Sequence, residues 1–152
     1  MASVADDLKR VPLFSGLSER QRRKLARLCR ERDVPSGTAV VKEGLMGGVS
    51  FFVVAEGTAA VTTAGKEVAR LGPGDHFGEL ALITNRERSA TVTAQTPMRC
   101  LEIRFWDFRD FALDNPDVMW KLLQHVVELL SSTDGEAPAS PASRSVRRPP
   151  RG

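Results

Sequence analysis

The sequence has no tyrosine, two histidines and two cysteines, and aromatic residues make up only 6% of it. His76 and His125 lie far apart with no His-x-His pattern, so the clustered imidazoles of a metalloenzyme are missing. No Ser/His/Asp or Cys/His arrangement replaces them, and neither catalysis nor a metal or other cofactor is expected. Cys29 and Cys100 sit among apolar neighbours, the pattern of buried, reduced thiols rather than of a disulfide framework. Long apolar runs are absent too: Val49 to Ala55 falls well below the roughly 20 residues a membrane-spanning helix needs. The chain therefore reads as cytoplasmic, with no membrane span.

What is present is enough apolar residue, 41% of 152, to bury one core but hardly two. The net charge of +3 is unevenly spread. Residues 138–152 hold Arg144, Arg147, Arg148 and Arg151 and no acid, which leaves a net −1 for the first 137 residues. That nearly neutral part lacks the basic footprint of a domain that reads a nucleic-acid backbone. Residues 135–152 are rich in Pro, Ala, Ser and Arg and cannot offset the entropy of their own ordering. They are expected to form a disordered basic tail after a domain of residues 1–134.

Along that domain, Val11, Pro12, Leu13, Phe14 and Gly16 suggest an anchoring turn. Leu17 to Arg32 then reads as an amphipathic helix, with Leu25, Leu28 and Cys29 on one face and Ser18 as N-cap. Its other face carries Arg20, Arg22, Arg23, Lys24, Arg27 and Arg30, the pattern of a solvated surface. From Gly37 the character changes to short β-branched runs: Thr38 to Lys42, Val49 to Ala55, Thr58 to Thr63, Lys66 to Leu71, Arg88 to Ala94 and Met98 to Arg104. Glycine-rich turns separate them at the spacing of an antiparallel sandwich or barrel. Helical periodicity returns over Phe105 to Leu113. Past the breaker Asn115-Pro116 it continues from Asp117 to about Ser132, with Met119, Leu122, Leu123, Val126, Val127 and Leu130 along one broad face.

One interruption carries chemistry. Gly74-Asp75-His76-Phe77-Gly78-Glu79-Leu80-Ala81-Leu82 ends the strand pattern, and Arg88-Ser89-Ala90-Thr91 resumes it nine residues after Glu79. A glycine turn leading into a short helix over Glu79 to Leu82 exposes backbone N–H groups suited to an anion. Arg88 can grip two phosphate oxygens with its planar fork, and Ser89 adds a hydroxyl donor. A carboxylate beside a phosphate is repulsive unless it has its own ligand, and a sugar hydroxyl gives Glu79 one. His76 reads as a turn histidine with its own partner and His125 as a flank of the last helix.

These residues closely resemble the phosphate-binding cassette of the cyclic nucleotide-binding domain family, which includes the catabolite activator protein and the regulatory subunits of cyclic AMP-dependent kinase. The match rests on Phe77-Gly78-Glu79-Leu80-Ala81-Leu82, the interval to Arg88, and Arg88-Ser89-Ala90-Thr91. It extends through Pro12-Leu13-Phe14, Gly37, Gly44, Gly57 and Gly72-Pro73-Gly74 over roughly residues 8–132. The resemblance implies a mainly β fold, an eight-stranded β-roll (a double-stranded β-helix or jelly roll) over 37–104. An N-terminal helix precedes it and two C-terminal helices follow over 105–132.

The resemblance further implies that Glu79 binds the ribose hydroxyl. Arg88 and Ser89, with backbone amides near Leu80 and Ala81, would bind the cyclic phosphate, and Phe77, Gly78 and Ala90 complete the ligand-binding set. Glu87 stands where many members have proline, and the reading favours cyclic AMP over cyclic GMP as ligand. With no tyrosine to stack on the base, Trp120, Ser132 or Thr133 is the candidate lid. The function implied is a non-enzymatic sensor that relays occupancy through its C-terminal helix to a protein effector or a fused domain. A homodimer through the last helix is left open. The alternatives are a degenerate domain serving as a ligand-independent interaction module and, behind it, a truncated transcription regulator. The helix-turn-helix reader of the catabolite activator type is missing from the 152 residues, so specific DNA binding is not expected.

Overall fold

Ser50–Glu56 reads Ser-Phe-Phe-Val-Val-Ala-Glu, a continuous apolar run that as a strand must be covered on both faces. In the computed structural model, which describes residues 3–42, 50–78 and 90–132, it is. Phe51, Val53 and Ala55 point into one core with Leu25, Leu101, Ile103, Phe108, Phe111, Val118 and Leu122. Phe52 and Val54 point into a second, with Val61, Leu71, Phe77, Val92, Met98 and Cys100. Burial of each such side chain contributes roughly 1.5–3 kcal/mol, so this strand ties a helical layer to the interior of the roll.

Among the described residues there are eight strands: β1 (Cys29–Val34), β2 (Ala39–Val41), β3 (Ser50–Glu56), β4 (Ala59–Thr63), β5 (Lys66–Leu71), β6 (His76–Phe77), β7 (Thr91–Ala94) and β8 (Met98–Arg104). They form two four-stranded sheets, ordered β1-β8-β3-β6 and β2-β7-β4-β5, with every pairing antiparallel. The helices are α1 (Val4–Lys9), a 3₁₀ turn (Pro12–Phe14), α2 (Glu19–Leu28), α3 (Phe105–Asp114) and α4 (Pro116–Ser132). A mainly β fold with flanking helices is thus as the sequence suggests.

Several boundaries differ from the sequence reading. The first long helix ends at Leu28 rather than Arg32, and Cys29–Val34 is instead the edge strand β1, so the β region opens well before Gly37. Arg30 therefore belongs to this strand, opposite Glu102, and not to the helix face. Tertiary pairing with β8 decides a segment whose charged run, Arg30-Glu31-Arg32-Asp33, has no apolar period of its own. Ser18 does cap α2: its hydroxyl accepts the Gln21 N–H at 3.1 Å, and Gln21 Oε1 accepts the Ser18 N–H at 2.7 Å.

The same Gln21 side chain donates to buried Asn115 Oδ1 at 2.7 Å, while Asn115 Nδ2 donates to Phe111 O at 2.8 Å. The break between α3 and α4 is therefore pinned to the start of α2. Only a narrow stripe of α4 packs inward. Val118 and Leu122 are buried and Val126 half-buried, whereas Met119, Leu123 and Val127, expected on the same apolar face, are exposed. Positions 118, 122 and 126 follow one i, i+4 row, and beside that row His125 meets the roll through His76. Leu130 lies outside the described side chains.

Helix α1, which the apolar periodicity did not indicate, is capped by Ser3 and locked to the roll by charge. Arg99 on β8 donates to Asp7 at 2.9 Å, Glu31 at 2.7 Å and Glu56 at 3.0 Å, and the Asp7 side chain is wholly buried. Both cysteines are free thiols. Burial pushes the Cys29 thiol up to about 12, with nearby Glu31 adding to the effect, and pushes Cys100 up to about 11. Neither supplies thiolate near neutral pH.

Candidate functional site

The turn Gly72-Pro73-Gly74-Asp75 is fixed before the candidate cassette begins. Asp75 Oδ2 accepts the Gly72 N–H at 2.8 Å, and backbone bonds join Gly74 N to Val54 O and Val54 N to Asp75 O. Gly74 has a φ of +94°, and a Cβ there would stand 2.9 Å from the Arg10 carbonyl oxygen. Only glycine meets both demands. Arg10 is held in place by its own guanidinium, which donates to Ala55 O at 3.0 Å. The end of α1 therefore rests against the turn that launches β6.

β6 pairs with β3 through Phe77 opposite Phe52 and His76 opposite Val53. The Phe77 ring is buried and stacks on Phe52 at 5.0 Å, anchoring the strand inside the roll. Gly78 then turns the chain away with a φ of +99°, a left-handed value that disfavours any side chain. Residues 79–89 lie outside the described residues, and with them Glu79, Leu80, Ala81, Arg88 and Ser89. The chain is described again at Ala90, which packs against the roll core, and enters β7, central in the other sheet. The candidate segment thus starts on the outer strand of one sheet and finishes inside the second.

Of the expected ligand-binding residues, the structure describes Phe77, Gly78 and Ala90, the two ends of the segment. Trp120 of the expected lid is 61% exposed on α4. Ser132 is the last residue of that helix, its side chain not described, and Thr133 lies beyond.

His76 is not a turn residue. It lies on β6, is 6% exposed, and is packed between Phe51, with ring centroids 5.2 Å apart, and His125 of α4, 4.9 Å away and edge-on. A two-residue strand is too short for period-2 reading to reveal, and nothing in the sequence brings residues 76 and 125 together. The Arg10 contact with Gly74 was equally hidden, although a Gly-Pro-Gly turn is itself a sign of close backbone approach.

A shallow cleft of about 360 Å³ lies elsewhere, between Asp33, Val34, Pro35, Glu56, Pro97, Met98 and Arg99. Two of its charges, Glu56 and Arg99, are already paired with each other, and it includes no residue of the cassette. Among the described residues no three His, Cys, Asp or Glu side chains converge as a metal site, and no helix is long and apolar enough to cross a membrane.

Residues 31–115, more than half of the chain, match the family described as cyclic nucleotide-binding domain. The cAMP-dependent protein kinase regulatory subunit of Yarrowia lipolytica is 45% identical over 94 residues, which cover 60% of this chain and 25% of that protein. Among solved structures, the catabolite activator protein of Thermus thermophilus superposes with a TM-score of 0.74 at 28% identity, over 81% of this chain and 60% of its own. The regulatory domain of Toxoplasma gondii PKA, solved with cAMP, gives a TM-score of 0.70 at 29% identity, over 80% and 48%. The chain accordingly spans only about a quarter of the curated regulatory subunit it matches.

Proposed function

The chain belongs to the cyclic nucleotide-binding domain family, and from that premise we propose that it is a non-enzymatic regulatory sensor for a cyclic nucleotide, cAMP in preference to cGMP. The observation that carries this is the extent of the family match, which encloses the whole of Phe77 to Thr91, with the described ends of that segment anchored in different sheets. Arg88 and Ser89 take the cyclic phosphate together with amides near Leu80 and Ala81. Glu79 takes the ribose 2′-hydroxyl. Phe77, Gly78 and Ala90 hold the frame, and Trp120, Ser132 or Thr133 closes over the base. Residues 1–134 act as the sensor, and the basic Pro/Ser/Arg segment 135–152 follows it. It works in the cytoplasm, where thiols such as Cys29 and Cys100 stay reduced.

Binding has an output only if ligand favours one arrangement of α4 over another, since equal affinity for both shifts nothing. The relay we assign is a repacking of α4, which now docks on the helical core through Leu122 and Val126, and a protein effector or fused domain receives the movement. Calorimetric titration with cAMP, cGMP, 5′-AMP and 2′-deoxy cAMP tests the reading. Heat with the cyclic ribonucleotides, strongest for cAMP and absent for 5′-AMP, is the expected result. No heat with any of them, from folded protein, leaves a ligand-independent interaction module in its place.

The ribose role has its own test. A site built to bond a hydroxyl rejects the analogue lacking it, because the bonding partner is left without one. Glu79→Gln should therefore narrow the gap between cAMP and 2′-deoxy cAMP. Equal loss of affinity for both would take the ribose away from Glu79.

A further inference from the structure

We propose that the outer face of α2 is a docking surface for an acidic protein segment. The helix, Glu19–Leu28, holds five cations and one acid, a net +4 in a chain whose first 137 residues sum to −1. The rest of those 137 residues therefore carries −5, and positive charge is gathered on this helix rather than spread over the domain.

The structure sorts these cations by what they touch. Arg22 is half-buried and donates to Leu17 O at 2.7 Å, so it serves the fold. Arg23 is exposed and pairs with Glu19 at 2.7 Å. Arg20, Lys24 and Arg27 are exposed and make no ion pair among the described residues. At i, i+4 and i+7 they form one row along the helix, about 10 Å from first to last. Like charges at those spacings repel and weaken the helix that carries them, whereas a face meant only for solubility mixes the two signs. The helix withstands that repulsion through its Ser18 cap, buried Leu25 and the Gln21 bond to Asn115.

The surroundings of the row select its partner. The apolar side of α2 is taken up by the core, with Leu25 buried and Ala26 and Leu28 packed against the same cluster, so no apolar stripe is left to enter a bilayer. A nucleic-acid duplex or a flat anionic membrane presents charge over a wide area and would meet the net negative remainder of the domain as well. A row one residue wide suits a single acidic segment, whose carboxylates can pair with the three cations in turn. Arginine at both ends of the row allows two-pronged carboxylate bonds there. Gln21 of the same helix bonds Asn115 at the break between α3 and α4, so an occupant of this face sits on an element that steadies the C-terminal helices.

Fluorescence anisotropy on the full chain tests this with a labelled alanine-rich helical peptide carrying Glu at i, i+4, i+7 and i+11. Binding at about 25 mM salt should weaken about tenfold or more at about 200 mM, the mark of charge pairing. The triple reversal Arg20→Glu, Lys24→Glu and Arg27→Glu should lose about tenfold or more at the lower salt. Three reversals at exposed positions elsewhere, Lys42→Glu, Lys66→Glu and Arg109→Glu, change the net charge equally and should lose less than about threefold. The milder triple variant Arg20→Gln, Lys24→Gln and Arg27→Gln should also lose the peptide yet melt no lower than wild type, since it relieves repulsion within α2.

No binding of the peptide, binding indifferent to salt, an equal loss from the distant reversals, or a lower melting temperature of the glutamine variant overturns the proposal. Tighter binding to phosphatidylserine vesicles or to duplex DNA than to the peptide, lost in the same triple reversal, overturns the assignment to an acidic protein segment. Cyclic nucleotide takes no part in these measurements, so failure of the functional reading above leaves this proposal standing, and the reverse holds too.

Discussion

Arg88→Ala should cost on the order of 2 kcal/mol or more of cyclic nucleotide affinity, roughly a 30-fold rise in Kd, because it leaves a phosphate charge in the closed site without its partner. The loss should appear for cAMP and cGMP alike, since the cyclic phosphate is common to both. Arg88→Lys should fall between, keeping the charge but losing the two-pronged geometry. Calorimetry with a thermal melt of each variant separates lost contact from lost fold. Normal binding by folded Arg88→Ala would remove the phosphate from Arg88 and move it to the backbone amides or Ser89.

The second large effect is expected far from the cassette. Arg99 bridges Asp7, Glu31 and Glu56, and Asp7 is wholly buried. Arg99→Ala leaves that carboxylate with only the longer 3.4 Å pairing to half-exposed Arg10, so the loss should approach, and not exceed, the roughly 3–5 kcal/mol typical of a buried charge deprived of its partner. Glu31 and Glu56 are more than half exposed and contribute little to that figure. Urea unfolding should show the loss as a lower midpoint with an unchanged slope. Removing both groups, Asp7→Ala with Arg99→Ala, should restore part of it, because neither charge is then left buried and unpaired. A double variant no more stable than Arg99→Ala alone would mean that the arginine acts through its exposed partners.

How much of this was legible in the sequence varied with how local the cause is. Lys66–Leu71 and Met98–Arg104 were readable to the residue, since Gly65 and Gly72 bound the first, and Pro97 opens the second, which ends where helical periodicity begins. Cys29–Val34 was not, because its strand character comes from pairing with β8 and its own residues are mostly charged. His76–Phe77 is too short for any periodicity. The breadth of the α4 face was overestimated because spacing identifies residues able to face a core, not the width of core on offer. The candidate cassette is read from glycine, glutamate and arginine at fixed intervals, a local pattern that needs no tertiary contact to be seen, and its Glu79 to Ser89 lie outside the described residues. The groups that support it, Arg10 against Gly74 and His125 against His76, were hidden, since each contact joins residues about fifty or more positions apart.

The contact between Arg10 and Gly74 bears on where the chain can be cut. The family match begins at residue 31, yet the turn in front of the cassette leans on a backbone carbonyl twenty-one positions earlier. A fragment trimmed to residues 31–115 would lose Asp7 from Arg99 and uncover the core that Leu8, Val11, Leu13, Phe14 and Leu25 now cover. Such a fragment would present a sticky apolar surface before it presented a binding site. A fragment meant to keep that turn and its core covered should therefore start no later than Ser3, well ahead of residue 31 where the family match begins.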